Sequence, residues 1–506
     1  MSRLSKNILY NLTGQTLLMV LGFVAVRYVF RRLGADALGI IYFSYTLNTL
    51  LTAVLAMGIC ETTVREVSAH YRSAPLYIKE LINSASLFYW GIYLACSIAL
   101  YFGSSVLVAK WIHLKTLDQG TAVGVLRVLA ISSFLALPRS FYASILRGLE
   151  RMEFNNFIDV ATSALQQFGT IFILIGGGAL KVVVFWIAFC YGLSTFAYVV
   201  ISASFFSWGA LLPGFSSTVV RRNLRYASHM AVISLLAVVQ TQADKAVLSK
   251  LLPIGVFGFY SLAYSGISRG TLITSSTFQA AFPRLSSLFQ SGDRAGLLAQ
   301  YRKLHDLVCF SCLPILAVFP FAARPVFTYL LNSEAAHLLL WPLTFLSLGF
   351  YMNGTLSIPY AFSLAVGKPE ITARSNLYAT LLVLPTTVML VYFYGLNGAG
   401  LSWVSYHIFV YAYAVPRICS ECLGAPASGW YLHTLEALAL GVISYGTAYC
   451  LLEYLGARSI LALLVGFGGA TLVFGSLAYL IICDELRSAI KQACLRPLRD
   501  SNAASI

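Results

Sequence analysis

Long apolar stretches follow one another along almost the whole chain, separated by short polar or basic turns. Most of them run for about 20 residues or more, the length that a helix needs to cross about 30 Å of hydrocarbon. Because lipid offers no partner for backbone N–H and C=O groups, such stretches must be helical. The pattern predicts an all-α integral membrane protein of about 14 transmembrane helices. The predicted spans are 8–30, 38–64, 81–108, 123–147, 157–177, 182–206, 224–249, 255–283, 304–330, 337–366, 374–394, 398–417, 430–453 and 459–483.

Composition excludes a soluble enzyme of several domains. Of the 506 residues, 58% are hydrophobic and 10% are charged, whereas soluble domains average roughly 45–50% and about 25%. The longest connections, near 207–223 and 284–303, are too short to fold as a domain. The sequence contains neither a phosphate-binding P-loop nor a Ser/His/Asp or metal-ligand grouping in an extramembrane segment. We therefore expect no catalytic residue, no metal and no cofactor, and a protein that is not an enzyme.

The basic residues orient the spans. Lys and Arg together number 34 against 19 Asp and Glu, and most of them fall in one alternate set of connections. By the positive-inside rule this set is cytoplasmic. The rule places both termini of the multi-pass chain in the cytoplasm, and we expect the chain to lie in the cytoplasmic (inner) membrane. The positive excess then faces anionic membrane lipids, and no nucleic-acid partner is needed to explain it.

An internal repeat divides the chain. A shift of 219 residues aligns the first six spans with spans seven to twelve, so that Gly39 falls on Gly258 and Gly148 on Gly367. Each half contains an even number of spans and enters the membrane the same way up, which predicts two parallel six-helix repeats. Two C-terminal helices stand outside the repeat.

The repeat predicts five segments. We expect an N-terminal six-helix lobe at 1–206, a cytoplasmic linker at 207–223 and a C-terminal six-helix lobe at 224–417. Two extra transmembrane helices at 430–483 and a cytoplasmic tail at 484–506 complete the chain.

Short motifs along the chain resemble a known family. In order and spacing they are similar to those of the oligosaccharide flippases of the MOP superfamily, in particular the O-antigen-type polysaccharide-biosynthesis flippases. One departure is that residues 45–49 lack the arginine that the peptidoglycan-precursor branch is expected to carry in its second span. The residues that carry the resemblance are Gly14-Gln15, Arg27, Leu33-Gly34, Gly39, Gly58, Asp244-Lys245, Leu248, Lys250, Gly255, Gly258, Tyr260, Pro283-Arg284-Leu285, Gly292-Asp293 and Ala365-Val366-Gly367-Lys368-Pro369.

The resemblance implies a MOP/MATE-like fold and a function. Such proteins move a polyprenyl-(pyro)phosphate-linked oligosaccharide from the cytoplasmic to the outer leaflet by alternating access, for cell-surface polysaccharide synthesis. The expected partners are this lipid-linked oligosaccharide, membrane lipids and a possible coupling cation, H⁺ or Na⁺.

Three arginines inside spans are candidates for the headgroup site. Charge within a bilayer is costly, and intramembrane arginines usually face a cavity or a partner. Arg27, Arg139 and Arg269 are expected to hold the pyrophosphate, since guanidinium groups pair bidentately with phosphate oxygens. The alternative is that each reaches an interface or pairs with an acid to lock helices together. Asn48 and Gln240 are polar candidates for the sugar.

Two acids are candidates for ion coupling. Asp244 lies next to Lys245, but adjacent positions point about 100° apart on a helix, so the two are not expected simply to neutralise each other. A structural pair between Asp244 and a cation of a neighbouring helix is the alternative. Glu61 precedes Arg65 by four residues, a spacing that favours a local ion pair, with a transport role as the other interpretation.

Two other function classes stay open. A cation or drug antiporter of the MATE type should place acids rather than arginines in its cavity. A membrane glycan polymerase or ligase should present a large outer loop, and the outer loops here are short.

Overall fold

The computed structural model describes residues 3–55, 58–457 and 459–492, and their regular structure is helical. Where water is absent, a long apolar segment can form all of its backbone hydrogen bonds only as a helix. The helices are α1 Arg3–Leu55, α2 Ile59–His70, α3 Pro75–Lys110, α4 Gln119–Ala136, α5 Arg139–Gly148, α6 Met152–Ile175, α7 Leu180–Phe205, α8 Trp208–Leu211, α9 Ser217–Leu251, α10 Ile254–Ser268, α11 Leu272–Gln290, α12 Arg294–Leu330, α13 Ser333–Ala365, α14 Pro369–Ile418, α15 Ala427–Tyr454 and α16 Ile460–Ile481.

These helices form 14 spans in the described part of the chain. Gly34 (φ 85°) folds α1 into two spans, and Gly395 (φ 56°) does the same for α14. Helix α2 continues the second span, α5 continues α4, and a 3₁₀ turn at Arg269–Thr271 joins α10 to α11. Ten of the helical stretches are long and apolar enough to cross a membrane by length and hydropathy. The prediction of about 14 transmembrane helices is confirmed.

The helix boundaries follow the repeat. Gly34 lies 219 residues before Pro253, and both mark the turn between the first two spans of a repeat. Gly176 follows the end of α6, and its equivalent Gly395 is the kink of α14. The corresponding spans of the two repeats therefore begin and end at matching positions.

Packing divides the molecule into two compact units, which we call unit 1 (up to Phe259) and unit 2 (from Tyr260). Helix α9, which begins the second repeat, belongs to unit 1 because its contacts lie with α1, α2 and α3. The predicted lobe boundaries at 206 and 224 remain a prediction. Residues 493–506 of the predicted tail lie outside the described residues, as do residues 1–2.

One end of α9 is fastened by hydrogen bonds to the loop that follows α3. Trp111 Nε1 donates to Ser249 Oγ (3.0 Å), and the Ile254 backbone N–H donates to the His113 carbonyl (2.9 Å). Asp36, which is 2% exposed, holds the same loop because its Oδ2 accepts the backbone N–H groups of residues 115–117 at 2.6–3.1 Å. A buried carboxylate with this many donors fixes the loop firmly.

Close backbone contact joins α1 to α10. A Cβ at Gly39 would collide with the Ile254 carbonyl oxygen, and a Cβ at Gly258 would lie 2.8 Å from the Gly39 Cα. Only glycine leaves room at these positions, so the two repeat-related glycines allow the helices to touch.

We predict that Gly39→Ala destabilises the protein by about 1–3 kcal/mol, because the new methyl group overpacks a backbone contact. The measurement is the midpoint of thermal unfolding in detergent. Gly91→Ala on α3 is the matched control, since nothing lies within 4 Å of its Cβ position. Because alanine favours a helix more than glycine does, the free energy of unfolding of this control should be unchanged or raised by roughly 0.5–1 kcal/mol. Equal midpoints for the two variants would contradict the close contact.

In unit 2, a buried carboxylate attaches the two C-terminal helices to α12. Asp306 is 4% exposed, and its Oδ1 lies 2.7 Å from His433 Nε2 of α15. Its Oδ2 accepts the Cys483 backbone N–H just beyond α16 (2.6 Å). Arg302 and Glu485 add a more exposed ion pair at 2.9 Å.

Asp306→Ala should lower the free energy of unfolding by roughly 3–5 kcal/mol, because it removes one partner of a buried, hydrogen-bonded pair. Glu153→Ala is the control, since Glu153 forms an exposed pair with Arg151 (3.2 Å), and such pairs contribute about 0–1 kcal/mol. Denaturation of both variants in the same detergent gives the comparison. A loss below 1 kcal/mol for Asp306→Ala would show that the helices are held by apolar packing alone.

Candidate functional site

Polar side chains meet in the interior of unit 1, where α1, α4 and α6 come together. Ser133 Oγ donates to Asn48 Oδ1 (2.5 Å), and Gln166 Nε2 donates to the Tyr45 hydroxyl (2.8 Å). Asn48 is half-buried and keeps its amide N–H groups as further donors. The arrangement provides hydrogen-bonding groups within the span region, as a passage for a sugar requires.

Arg139 begins α5 directly after Pro138, and its side chain reaches residues of α6 and α7. Its Nη2 lies 3.8 Å from Asp159 Oδ1, and its guanidinium carbon lies 6.0 Å from the centre of the Tyr191 ring. Tyr198 donates its hydroxyl proton to the same Asp159 oxygen (3.0 Å). The side chain of Arg139 is 32% exposed and that of Asp159 is 52% exposed. A competing anion can therefore reach the arginine.

Asp244 and Lys245 form a buried pair on α9, with the lysine Nζ 3.2 Å from Asp244 Oδ1. The expectation that these neighbours do not neutralise each other is wrong. The lysine side chain is long enough to curl back, and its Nζ also donates to the Thr241 carbonyl (2.7 Å) one turn earlier.

The other predicted residues lie on three elements. Arg27 is half-buried on α1, and Gln240 is half-buried on α9, one turn before Asp244. Arg269 belongs to unit 2 and lies at the start of the 3₁₀ turn that interrupts the eighth span. It is exposed, and none of the ion pairs found among the described residues involves it. Arg139, Asn48 and Glu61 belong with Arg27 in unit 1.

The expected local ion pair between Glu61 and Arg65 does not form. Arg65 instead turns to its neighbour Glu66, and its Nε and Nη2 donate to Glu66 Oε1 at 2.8 and 2.5 Å. The second Glu61 oxygen, Oε2, is buried and has no hydrogen-bond partner within residues 3–55, 58–457 and 459–492.

Glu66 is the centre of a network that joins α2, α3 and α9. Its Oε2 accepts the Tyr77 hydroxyl (2.8 Å), and Asn223 Nδ2 donates to that hydroxyl (2.8 Å). Arg65 closes the ring by donating to Asn223 Oδ1 (3.1 Å). Burial by itself would raise the pKa of Glu66, but the hydrogen bonds from Tyr77 and Arg65 and the charge of Arg65 bring it below its ordinary value. The carboxylate therefore stays charged at neutral pH and holds the second end of α9.

Sequence reasoning missed Asp159 and Glu66. Asp159 could have been found, since it is an acid inside the fifth predicted span, where charge is costly. Glu66 lies just beyond the second predicted span, 38–64, and no sequence pattern singles it out. Its partner Tyr77 lies 11 residues away along the chain, and Asn223, which its neighbour Arg65 contacts, lies 158 residues from Arg65.

No grouping of three or more metal-ligating side chains occurs in the part of the chain that the structure describes. The geometry offers basic, amide and carboxylate groups within apolar spans. It suits binding and movement of a charged, hydroxyl-rich molecule.

Comparison with known proteins shows which protein family the sequence matches. The family model described as "Polysaccharide biosynthesis protein" matches residues 4–289. A Shigella flexneri protein named as an O-antigen transporter is 22% identical over 410 residues, which cover 79% of this chain and 93% of the relative.

Solved structures share the fold. The lipid II flippase MurJ in an inward closed conformation has a TM-score of 0.69 at 15% identity, covering 93% of this chain and 99% of that chain. An inward-facing MATE-family multidrug resistance transporter of the MOP superfamily has a TM-score of 0.65 at 14% identity, covering 80% and 95%. The predicted MOP/MATE-like fold is confirmed.

Proposed function

Because the chain belongs to the polysaccharide biosynthesis protein family, we propose that it moves a polyprenyl-(pyro)phosphate-linked oligosaccharide from the cytoplasmic to the outer leaflet. The protein works by alternating access, as a transporter and not as an enzyme, and supplies cell-surface polysaccharide synthesis. The S. flexneri relative, with its name of O-antigen transporter, supports this substrate class.

The observation that carries the proposal is the position of Arg269. An exposed guanidinium at a helix break, inside an apolar span and outside the ion pairs of the described residues, needs an anionic partner that those residues do not supply. A diphosphate fits, because its oxygens pair bidentately with guanidinium groups. Arg27 and Arg139 of unit 1 are also proposed to bind phosphate oxygens, and Asn48 and Gln240 to hydrogen-bond the sugar.

We propose that the protein lies in the cytoplasmic membrane with both termini in the cytoplasm, and that its six-helix lobes are residues 1–206 and 224–417. The basic connections support this orientation. The membrane potential then assists transport, since outward movement of an anionic headgroup gains about 2.3 kcal/mol per charge per 100 mV.

The test is transport of a fluorescent polyprenyl-diphosphate oligosaccharide in sealed proteoliposomes, scored by an external quencher. We expect Arg269→Gln and Arg27→Gln to slow flipping at least tenfold, because each removes a contact with the diphosphate. Arg127→Gln is the control, since its guanidinium lies over the Tyr101 ring (5.2 Å) and is assigned no role.

Flipping at the native rate in Arg27→Gln and Arg269→Gln would contradict the role of these arginines in diphosphate binding. It would not contradict the flippase function. If the native protein moves no such lipid under a potential or an ion gradient, but exports organic cations, the protein is a MATE-like antiporter.

Glu61 is the better candidate for cation coupling, with H⁺ or Na⁺ as the ion. Asp244 is already paired with Lys245 (3.2 Å), whereas the buried Glu61 oxygen has no hydrogen-bond partner among the described residues. A carboxylate in this state can take up and release a cation as access alternates.

We predict that Glu61→Gln abolishes the response of flipping to an imposed H⁺ or Na⁺ gradient and preserves equilibration without a gradient. The glutamine keeps the size of the side chain and removes its charge. The exposed Glu153→Gln serves as the control. A full gradient response in Glu61→Gln would exclude Glu61 as the coupling residue.

A further inference from the structure

A cavity of about 170 Å³ lies between α2, α3 and α9 of unit 1. It is separate from the polar interior around Asn48, and the proposed transport cycle assigns it no role. Apolar side chains form most of its wall, among them Ile59, Leu81, Ala85, Phe88, Leu224 and Ala227.

The polar groups in the wall are occupied by hydrogen bonds within the protein. Thr62 and Thr63 donate their hydroxyls to the carbonyls of Gly58 (2.7 Å) and Ile59 (2.8 Å) one turn earlier. Ser84 Oγ accepts the Ser216 backbone N–H (3.0 Å). A space whose polar groups are already paired offers little to water or to a sugar, and apolar cavities of this size stay dry.

The mouth of the cavity opens on an apolar exterior face. Phe88 is 36% exposed and Leu224 is 60% exposed. Phe88 continues along α3 at helical spacing into the exposed residues Ala95, Ile98 and Phe102. A helix stripe this apolar on the outside of a membrane protein faces lipid chains.

Positive charge lies next to the mouth. Val220, Asn223 and Leu224 line the cavity, so the exposed Arg221, Arg222 and Arg225 share the same two turns of α9. The Arg222 guanidinium carbon lies 4.4 Å from the centre of the Tyr77 ring, which directs it toward α3. Two acids are nearby: Glu80, whose Oε2 accepts the Ser216 hydroxyl (2.9 Å), and Glu66, whose Oε2 accepts the Tyr77 hydroxyl (2.8 Å).

We propose that this cavity is a binding site for a membrane phospholipid with an anionic headgroup. One acyl chain enters between α3 and α9, and the phosphate lies against Arg222. A cavity of about 150 Å³ holds a molecule the size of benzene, so about six carbons of the chain fit. The charge of the three arginines selects an anionic headgroup.

The site has a mechanical consequence, because the network of Arg65, Glu66, Tyr77 and Asn223 joins the same three helices. Asn223 belongs both to that network and to the cavity wall. A bound acyl chain occupies the cavity, and the network lies at one end of that cavity. The lipid therefore stabilises the packing of α9 against α2 and α3.

The test uses the full-length protein in nanodiscs with phosphatidylglycerol that carries a photoactivatable diazirine on one acyl chain. Phosphatidylcholine with the same chain gives the zwitterionic comparison. Peptide mapping by mass spectrometry locates the labelled residues. We expect labelling of the α3 and α9 segments around Ala85 and Ala227, at least threefold stronger for phosphatidylglycerol.

Two variants fill the cavity, Ala227→Leu and Ala85→Phe, and Ala95→Leu on the exposed face of α3 is their control. Both filling variants should reduce this labelling at least fivefold, while Ala95→Leu leaves it unchanged. Monodisperse elution shows which variants are folded. Labelling that persists in a folded filling variant, or that spreads evenly over the exterior, would overturn the site.

Arg222→Gln tests the headgroup, with Arg72→Gln as a control that lines a different cavity, near the turn after α2. Arg222→Gln should reduce the preference for phosphatidylglycerol at least twofold, because Arg221 and Arg225 remain, and Arg72→Gln should leave that preference unchanged. Equal labelling by both lipids in the native protein would refute the anionic headgroup. None of these measurements depends on the transported substrate, so they stand or fall independently of the flippase proposal.

Discussion

The hydrocarbon interior of the bilayer supplies no hydrogen bonds, and this single constraint determines most of the structure. It makes the spans helical, and it requires most charged side chains within them to find partners in the protein. Asp306 meets His433 and a backbone N–H, and Asp244 meets Lys245. The contacts of Asp306 hold helices together, whereas the pair of Asp244 and Lys245 lies within α9. Arg269 and the buried oxygen of Glu61 have no ion pair or hydrogen bond of this kind among the described residues, which is why they are assigned to transport.

Helix α9 illustrates how fixed contacts and movable parts are combined. Near Ser249 it is held by the loop after α3, and near Asn223 it is held by the network around Glu66. Between these ends, its side chains are largely half-buried or exposed. A helix that is held by hydrogen bonds near its ends and has few buried side chains between them suits a protein that changes access, since a few polar contacts can be exchanged at modest cost. The lipid cavity beside Asn223 provides a further means to bias that exchange.

The side-chain partners show where sequence reasoning failed and why. Spacing along one helix suggested that Glu61 pairs with Arg65, but the guanidinium reaches Glu66 and the Asn223 amide of another helix instead. Adjacent positions suggested that Asp244 and Lys245 point apart, but a flexible four-carbon side chain overcomes the angle between their Cβ directions. Asp159 was overlooked as the partner of Arg139 because the two residues lie on different helices.

The sequence by itself determined the number of spans, the repeat and the glycines at the turns of the repeat. Hydropathy and backbone geometry are local properties, which can be inferred directly from residue type. Gly34 and Gly395 kink the chain where the repeat places a turn. The tertiary structure alone decided which charges neutralise each other, that α9 packs with unit 1, and where an apolar cavity remains between helices. These depend on residues far apart in the chain meeting at distances of a few ångströms, and no local pattern encodes such a meeting.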